Sequence, residues 1–168
     1  MIVLETNRLR LRYLTLKDAY FILDILNTPG FLDNIGDRGV RDQYQAEKYI
    51  IEGPLASYHE HGFGLYLVEL ISTGEPIGLS GLVKRANLLL PDVGYAFLPD
   101  FWGKGYAVES AKGVLDYARE LKMLELMGIV SLGNDASIKV LEKLGMQFYC
   151  RQKWDDDSDI LLYKLMMD

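Results

Sequence analysis

Gly103 and Gly105 stand two residues apart in "FWGKGYAVESAKGVLDYA" (residues 101–118), directly ahead of a helical pattern. Glycine leaves the backbone bare, so the N–H groups from Gly103 to Ala107 can converge on an anion at a helix start. A second reading is a tight strand-to-helix turn in which the glycines serve geometry alone. Two nucleotide loops are excluded. A Walker A loop needs Ser or Thr after its lysine, whereas Lys104 is followed by Gly105. The dinucleotide fingerprint needs a third glycine where Val108 stands. His59 and His61 have no third ligand nearby in sequence, and the single cysteine, Cys150, excludes an internal disulfide and argues against a cysteine-built metal site, so no metal site is expected.

Elements of alternating type must position this loop. "NRLRLRYL" (7–14) alternates as a strand with one buried face, and Thr15 with Asp18 gives a helix-start spacing. Residues 27–39 are rich in turn formers and read as a loop, and 40–58 as a helix with Ala46, Tyr49, Ile50 and Ile51 inward. Strands follow at 63–71 and 76–84, joined by a hairpin at Ser72 to Glu75, and a third at 92–98 stops before Pro99. The glycine loop then opens a helix, followed by a strand at 124–130, a helix from Asn134 to Leu144 closed by Gly145, and two final strands. The order β-α-α-β-β-β-α-β-α-β-β predicts a mixed α/β (α+β) fold with mostly antiparallel pairing and one parallel crossover across 92–130.

The 168 residues, 49% hydrophobic and 25% charged, suit one domain spanning 1–168. A formal charge of −6 argues against nucleic acid, which is bound by clustered basic surfaces. No apolar run approaches the ~20 residues that span a bilayer, and the charged N-terminus does not read as a signal peptide, so no membrane partner and a cytoplasmic location are expected.

Three segments together resemble the GNAT superfamily of N-acetyltransferases: "VGYAFLPDFWGKGYAVESAKGVLDYA", the opening "LETNRLRLRYLTLKDA" (4–19) and "NDASIKVLEKLGM" (134–146). The signature Q/R-x-x-G-x-G/A places Trp102 first, Gly103 and Lys104 next, then Gly105, Tyr106 and Ala107. Trp102 departs from Q/R but is usual in the branch similar to the RimJ/RimL ribosomal-protein N-terminal acetyltransferases. The resemblance implies the GNAT fold, a mixed, mostly antiparallel sheet flanked by helices, with acetyl-CoA as co-substrate and no metal. A bulge is expected to splay the fourth and fifth strands of the order above for the pantetheine arm. Phe97 and Leu98 would offer main-chain groups to that arm, Gly103 to Ala107 would hold the pyrophosphate, and Asn134 would touch the cofactor or simply cap its helix. Lys104 would add charge near a phosphate or remain solvated.

The resemblance further implies transfer of acetyl to a primary amine, a protein N-terminal α-amine or a small amine, by direct attack in a ternary complex. A non-catalytic acyl-CoA-binding or regulatory module is the alternative. Asp92 matches an acidic residue proposed as base in the ribosomal branch, against a solvated strand-start carboxylate, and Glu69 is a second candidate. The tyrosine acid of many members is replaced by Leu141. Ser137, three residues after Asn134, holds the position proposed to replace it, or is an ordinary first-turn serine. Oligomeric state is open, a homodimer included.

Overall fold

The computed structural model describes residues 1–168. Eight strands form one sheet: β1 (Ile2–Glu5), β2 (Leu9–Arg12), β3 (Leu65–Leu70), β4 (Pro76–Val83), β5 (Asp92–Phe97), β6 (Glu125–Ser131), β7 (Gln147–Lys153) and β8 (Asp159–Met166). Their spatial order is β1-β2-β3-β4-β5-β6-β8-β7, and every pairing is antiparallel except β5 with β6. The helices are α1 (Ala19–Leu26), α2 (Pro29–Asn34), α3 (Gln43–Ile50), α4 (Ala56–His61), α5 (Tyr106–Glu120) and α6 (Asp135–Lys143). None is long and apolar enough to cross a membrane.

Strand alternation divides the molecule into two layers. Leu9 and Leu11 of β2 and Val93 and Phe97 of β5 point into a core with Ala111, Val114 and Leu115 of α5 and Leu141 of α6. The opposite face carries Leu67 and Leu79 against Ile22, Ile25 and Leu26 of α1 and Ala46 and Ile50 of α3. Thr15 and Asp18 form the expected capping box, and Asp18 also pairs with Arg12 at 2.9 Å, fixing α1 to β2. Glu69 is held by Arg10 at 3.3 Å and Arg12 at 3.2 Å on β3, with β4 standing between it and β5. Both its oxygens are engaged in this ion network, which joins β2 to β3.

Three expectations are corrected. Ile2–Glu5 adds an edge strand paired with β2. Pro29–Asn34 is a helix rather than a loop, because Pro29 sits in the first turn, where its missing N–H costs nothing and its φ is already helical. The helix of residues 40–58 breaks into α3, a π-helical turn over Ile51–Leu55 containing Pro54, and α4. That wide turn rotates the helix register, so Ile51 is exposed instead of inward. The hairpin at Gly74 and the left-handed Gly145 after α6 form as expected, with φ of 74° and 88°.

Candidate active site

The central feature is a gap in the sheet. β5 and β6 pair only at Asp92 and Met127, where the Met127 N–H donates to the Pro91 carbonyl at 3.0 Å. Beyond that register no ladder joins them, while β4 continues along β5 and β8 along β6. The sheet therefore opens toward the C-terminal ends of both strands. The expected bulge is absent: β4 and β5 stay in one-to-one register from Gly78 and Phe97 to Val83 and Asp92. Divergence comes instead from each central strand following its outer neighbour.

The Leu98 N–H donates to the Ile77 carbonyl at 2.9 Å. Alternation then turns the main-chain groups of Val93, Tyr95 and Phe97 into the gap. Leu98 thus gives its N–H to β4 rather than leaving it open as expected, and the Phe97 carbonyl accepts from Trp102 Nε1 at 2.8 Å. The N–H of Phe97 and both main-chain groups of Tyr95 are among the groups facing the gap.

At the open end the chain turns through Pro99–Phe101 and enters α5. Gly103 and Gly105 have φ of 73° and 82°, a region costly to residues bearing a Cβ. Gly105 is the helix N-cap and brings no side chain to cap it. The N–H groups of Gly103, Lys104, Gly105, Tyr106, Ala107 and Val108 donate to no protein acceptor. Buried or not, such a run of donors at a helix start seeks an anion or water, and the helix dipole favours the anion. Lys104 lies outside the fan, its Nζ 5.7 Å from the centre of the Phe101 ring.

Two residues not anticipated for this purpose frame the opening. The indole of Trp102 lies on Gly30 of α2 so closely that a Cβ there would stand 2.6 Å from its Cη2 and Cζ2. On the other bank the Ser131 hydroxyl donates to the Asn34 carbonyl at 3.2 Å. Helix α2 is thereby fastened to both lips of the gap. Gly30→Ala, which in an ordinary helix adds stability, is expected here to lower it by about 1–3 kcal/mol through overpacking. Trp102→Phe in the same background, lacking the clashing atoms, recovers part of the loss in thermal unfolding. Loss in Gly30→Ala without such recovery would contradict the packing account.

Across the gap, the Asn134 Oδ1 caps α6 by accepting the Ser137 N–H at 3.3 Å, while its amide nitrogen donates to no protein group. Burial raises the Tyr95 pKa, with Ser137 acting in the opposite sense, so this phenol stays protonated. Leu141 is buried and packs on Gly128 of β6, where a Cβ would stand 2.8 Å from its Cδ1. It fills core rather than lining the gap.

Asp92 is 2% exposed, not the solvated carboxylate that was one expectation. Arg85 Nε meets its Oδ1 at 2.9 Å. Burial pushes the Asp92 carboxyl above its ordinary value, and Arg85 pulls it down only in part. Alternation turns Asp92 to the α1/α3 face at the closed end of the gap, whereas Ser137 and Tyr95 lie on the α5/α6 face. The structure does not bring Asp92 and Ser137 together. Tyr95 was missed because one aromatic in an alternating strand carries no mark of what faces it. No three His, Cys, Asp or Glu side chains cluster as a metal site would require.

Comparison with known proteins agrees with this geometry. Residues 8–147 match the acetyltransferase (GNAT) domain. The protein YkkB of Bacillus subtilis is 32% identical over 151 residues, covering 86% of this chain and 85% of YkkB. An acetyltransferase from Agrobacterium tumefaciens superposes with a TM-score of 0.83 at 28% identity, over 98% of this chain and 94% of that one. RimL, a ribosomal-protein α-N-acetyltransferase seen with coenzyme A, has a TM-score of 0.82 at 19% identity over 100% and 99% of the two chains. The chain thus shares its overall fold with these proteins and belongs to the GNAT acetyltransferases, N-acetyltransferases that draw on acetyl-CoA.

Proposed function

We propose that the protein acetylates a protein N-terminal α-amine or a small primary amine, in the manner of the RimJ/RimL-like branch, by direct attack within a ternary complex. The observation that carries this reading is the opening between β5 and β6, leading to six unpartnered N–H groups at the start of α5. Acetyl-CoA supplies an activated thioester whose carbonyl carbon accepts the amine. The loop from Gly103 to Ala107 holds its pyrophosphate, and Lys104 adds a cation at the rim. Phe97 and Tyr95 hydrogen-bond the pantetheine arm from one bank, and the amide of Asn134 from the other. An N–H in the gap also polarises the thioester carbonyl, which gains charge as the C–N bond forms. Trp102 holds the lip in shape. Residues 1–168 act as one domain.

Asp92 serves as base through water, since it is buried on the opposite face and paired with Arg85. Ser137, supported by the protonated Tyr95, hydrogen-bonds the departing thiolate. A thiol with pKa ~8.5 needs little help to leave, so Ser137 steadies rather than enables this step.

The proton balance favours an α-amine. Neutralising a lysine-type amine of pKa ~10.4 at pH 7.4 takes roughly 4 kcal/mol, against under about 1 kcal/mol for an α-amine of pKa ~8. Thiol release measured with acetyl-CoA over a panel of N-terminal peptides, polyamines and aminoglycosides is expected to be fastest for an acceptor with a low-pKa amine. Binding of coenzyme A with turnover of none of them would reduce the protein to an acyl-CoA-binding module.

A further inference from the structure

Arg8 sits in the turn between β1 and β2, distant in sequence from the glycine loop, yet its guanidinium lies against it. The Cζ stands 4.3 Å from the centre of the Tyr106 ring, and Nη2 is 3.5 Å from where a Cβ on Gly105 would be. The orientation is fixed from behind. Glu109, one turn into α5, accepts from Arg8 Nε at 2.6 Å and from the Arg8 main-chain N–H at 2.9 Å. Thr6 Oγ1 donates to the same carboxylate at 2.6 Å. Nη1 and Nη2 donate to no protein group, and the side chain is 41% exposed. A guanidinium held by Nε and stacked on an aromatic face keeps its terminal fork free and pre-organised for a phosphate.

We infer that Arg8 is a ligand of the acetyl-CoA pyrophosphate, closing from the β1–β2 turn a site whose other donors are the N–H groups of residues 103–108. This rests on the pyrophosphate lying on that loop. Glu109 then has a second purpose besides joining β1–β2 to α5: it sets the direction of the fork. The glycine at 105 is explained by its φ of 82°, while the 3.5 Å from its would-be Cβ to Nη2 shows only how near the guanidinium comes to the loop.

Isothermal calorimetry with coenzyme A and with dephospho-coenzyme A, which lacks only the 3′-phosphate, tests the inference on the intact chain. Arg8→Gln is expected to raise Kd for both ligands alike by about tenfold or more, the worth of one charge-assisted hydrogen bond. Glu109→Gln, whose amide oxygen can still accept from Arg8 Nε and so keep the fork directed, is expected to lower thermal stability while changing Kd by less than about threefold. A loss confined to coenzyme A would assign Arg8 to the 3′-phosphate and overturn the inference, as would no loss for either ligand. Equal weakening by Glu109→Gln would mean that Arg8 acts only through the structural tie, which also overturns it. Should Arg8→Gln fail to fold, Arg8→Lys carries the same two-ligand comparison, because an ammonium cannot reproduce the fork. Gly105→Val separates this from the underlying reading: if it leaves coenzyme A binding intact, the loop itself is misassigned, whereas its loss beside an unaffected Arg8 variant removes only Arg8.

Discussion

Gly105→Val is expected to raise the Kd for acetyl-CoA by about 100-fold or more while the protein remains folded. Gly105 holds φ of 82° at the N-cap of α5, and forcing an L side chain into that region costs roughly 1–2 kcal/mol. For a chain of this length such a loss lowers Tm by only a few degrees per kcal/mol. Binding suffers more, because relief of the strain must rotate the adjacent peptide units that aim the N–H groups of residues 104–107. Each hydrogen bond to a charged group is worth about 1.5–3 kcal/mol, so losing two amounts to roughly 3–6 kcal/mol. Calorimetry alongside thermal unfolding distinguishes the two effects. A Kd within about threefold of the parent would show that the N–H fan does not hold the donor.

Asp92→Asn is expected to lower kcat/KM for the amine by about 100-fold or more and to leave the Kd for coenzyme A unchanged. The first figure is the lower end of what a positioned acid or base contributes. The second follows from the place of Asp92 at the closed end of the gap, away from the glycine loop. Its titration offers an independent readout. Burial raises the folded-state pKa above the unfolded value, so between those two values the folded state binds more protons. Asp92 therefore favours folding at low pH, and that contribution is lost as pH rises through its folded pKa. Urea unfolding of parent and Asp92→Asn across this range should show the difference in stability falling with increasing pH. A flat difference would deny the shift, and unaltered turnover would remove Asp92 from the chemistry.

The alternation of Leu and Arg in β2, the Thr15–Asp18 box and the glycines before α5 are local patterns, and each is found where its spacing implies. What was not legible is what depends on partners remote in the chain. Nothing in "NTPGFLDN" announces that α2 must reach both Trp102 and Ser131, since those contacts span about 70 and 100 residues. Arg8 looked like one more outward arginine in a strand pattern, and its meaning lies in Glu109 and Tyr106. Asp92 is legible as a strand-start carboxylate, but its burial and its pairing with Arg85 are set by the sheet. The missing bulge shows the same limit: a resemblance conveys that two strands part, while the hydrogen-bond register decides how.

The fastening of α2 to both banks of the gap has a mechanical consequence. The sheet is two leaves, β1–β5 and β6–β8, hinged at Asp92 and Met127 and clasped at the far end by Trp102 on Gly30 and Ser131 on Asn34. A slot braced in this way is expected to change little when coenzyme A enters, so that little binding energy is diverted to deformation, and comparison of the free and coenzyme A-bound proteins checks it. The clasp also ties two positions into one design choice. A bulkier residue at position 30 requires a smaller one at 102, and the width of the slot can be tuned by changing the pair together.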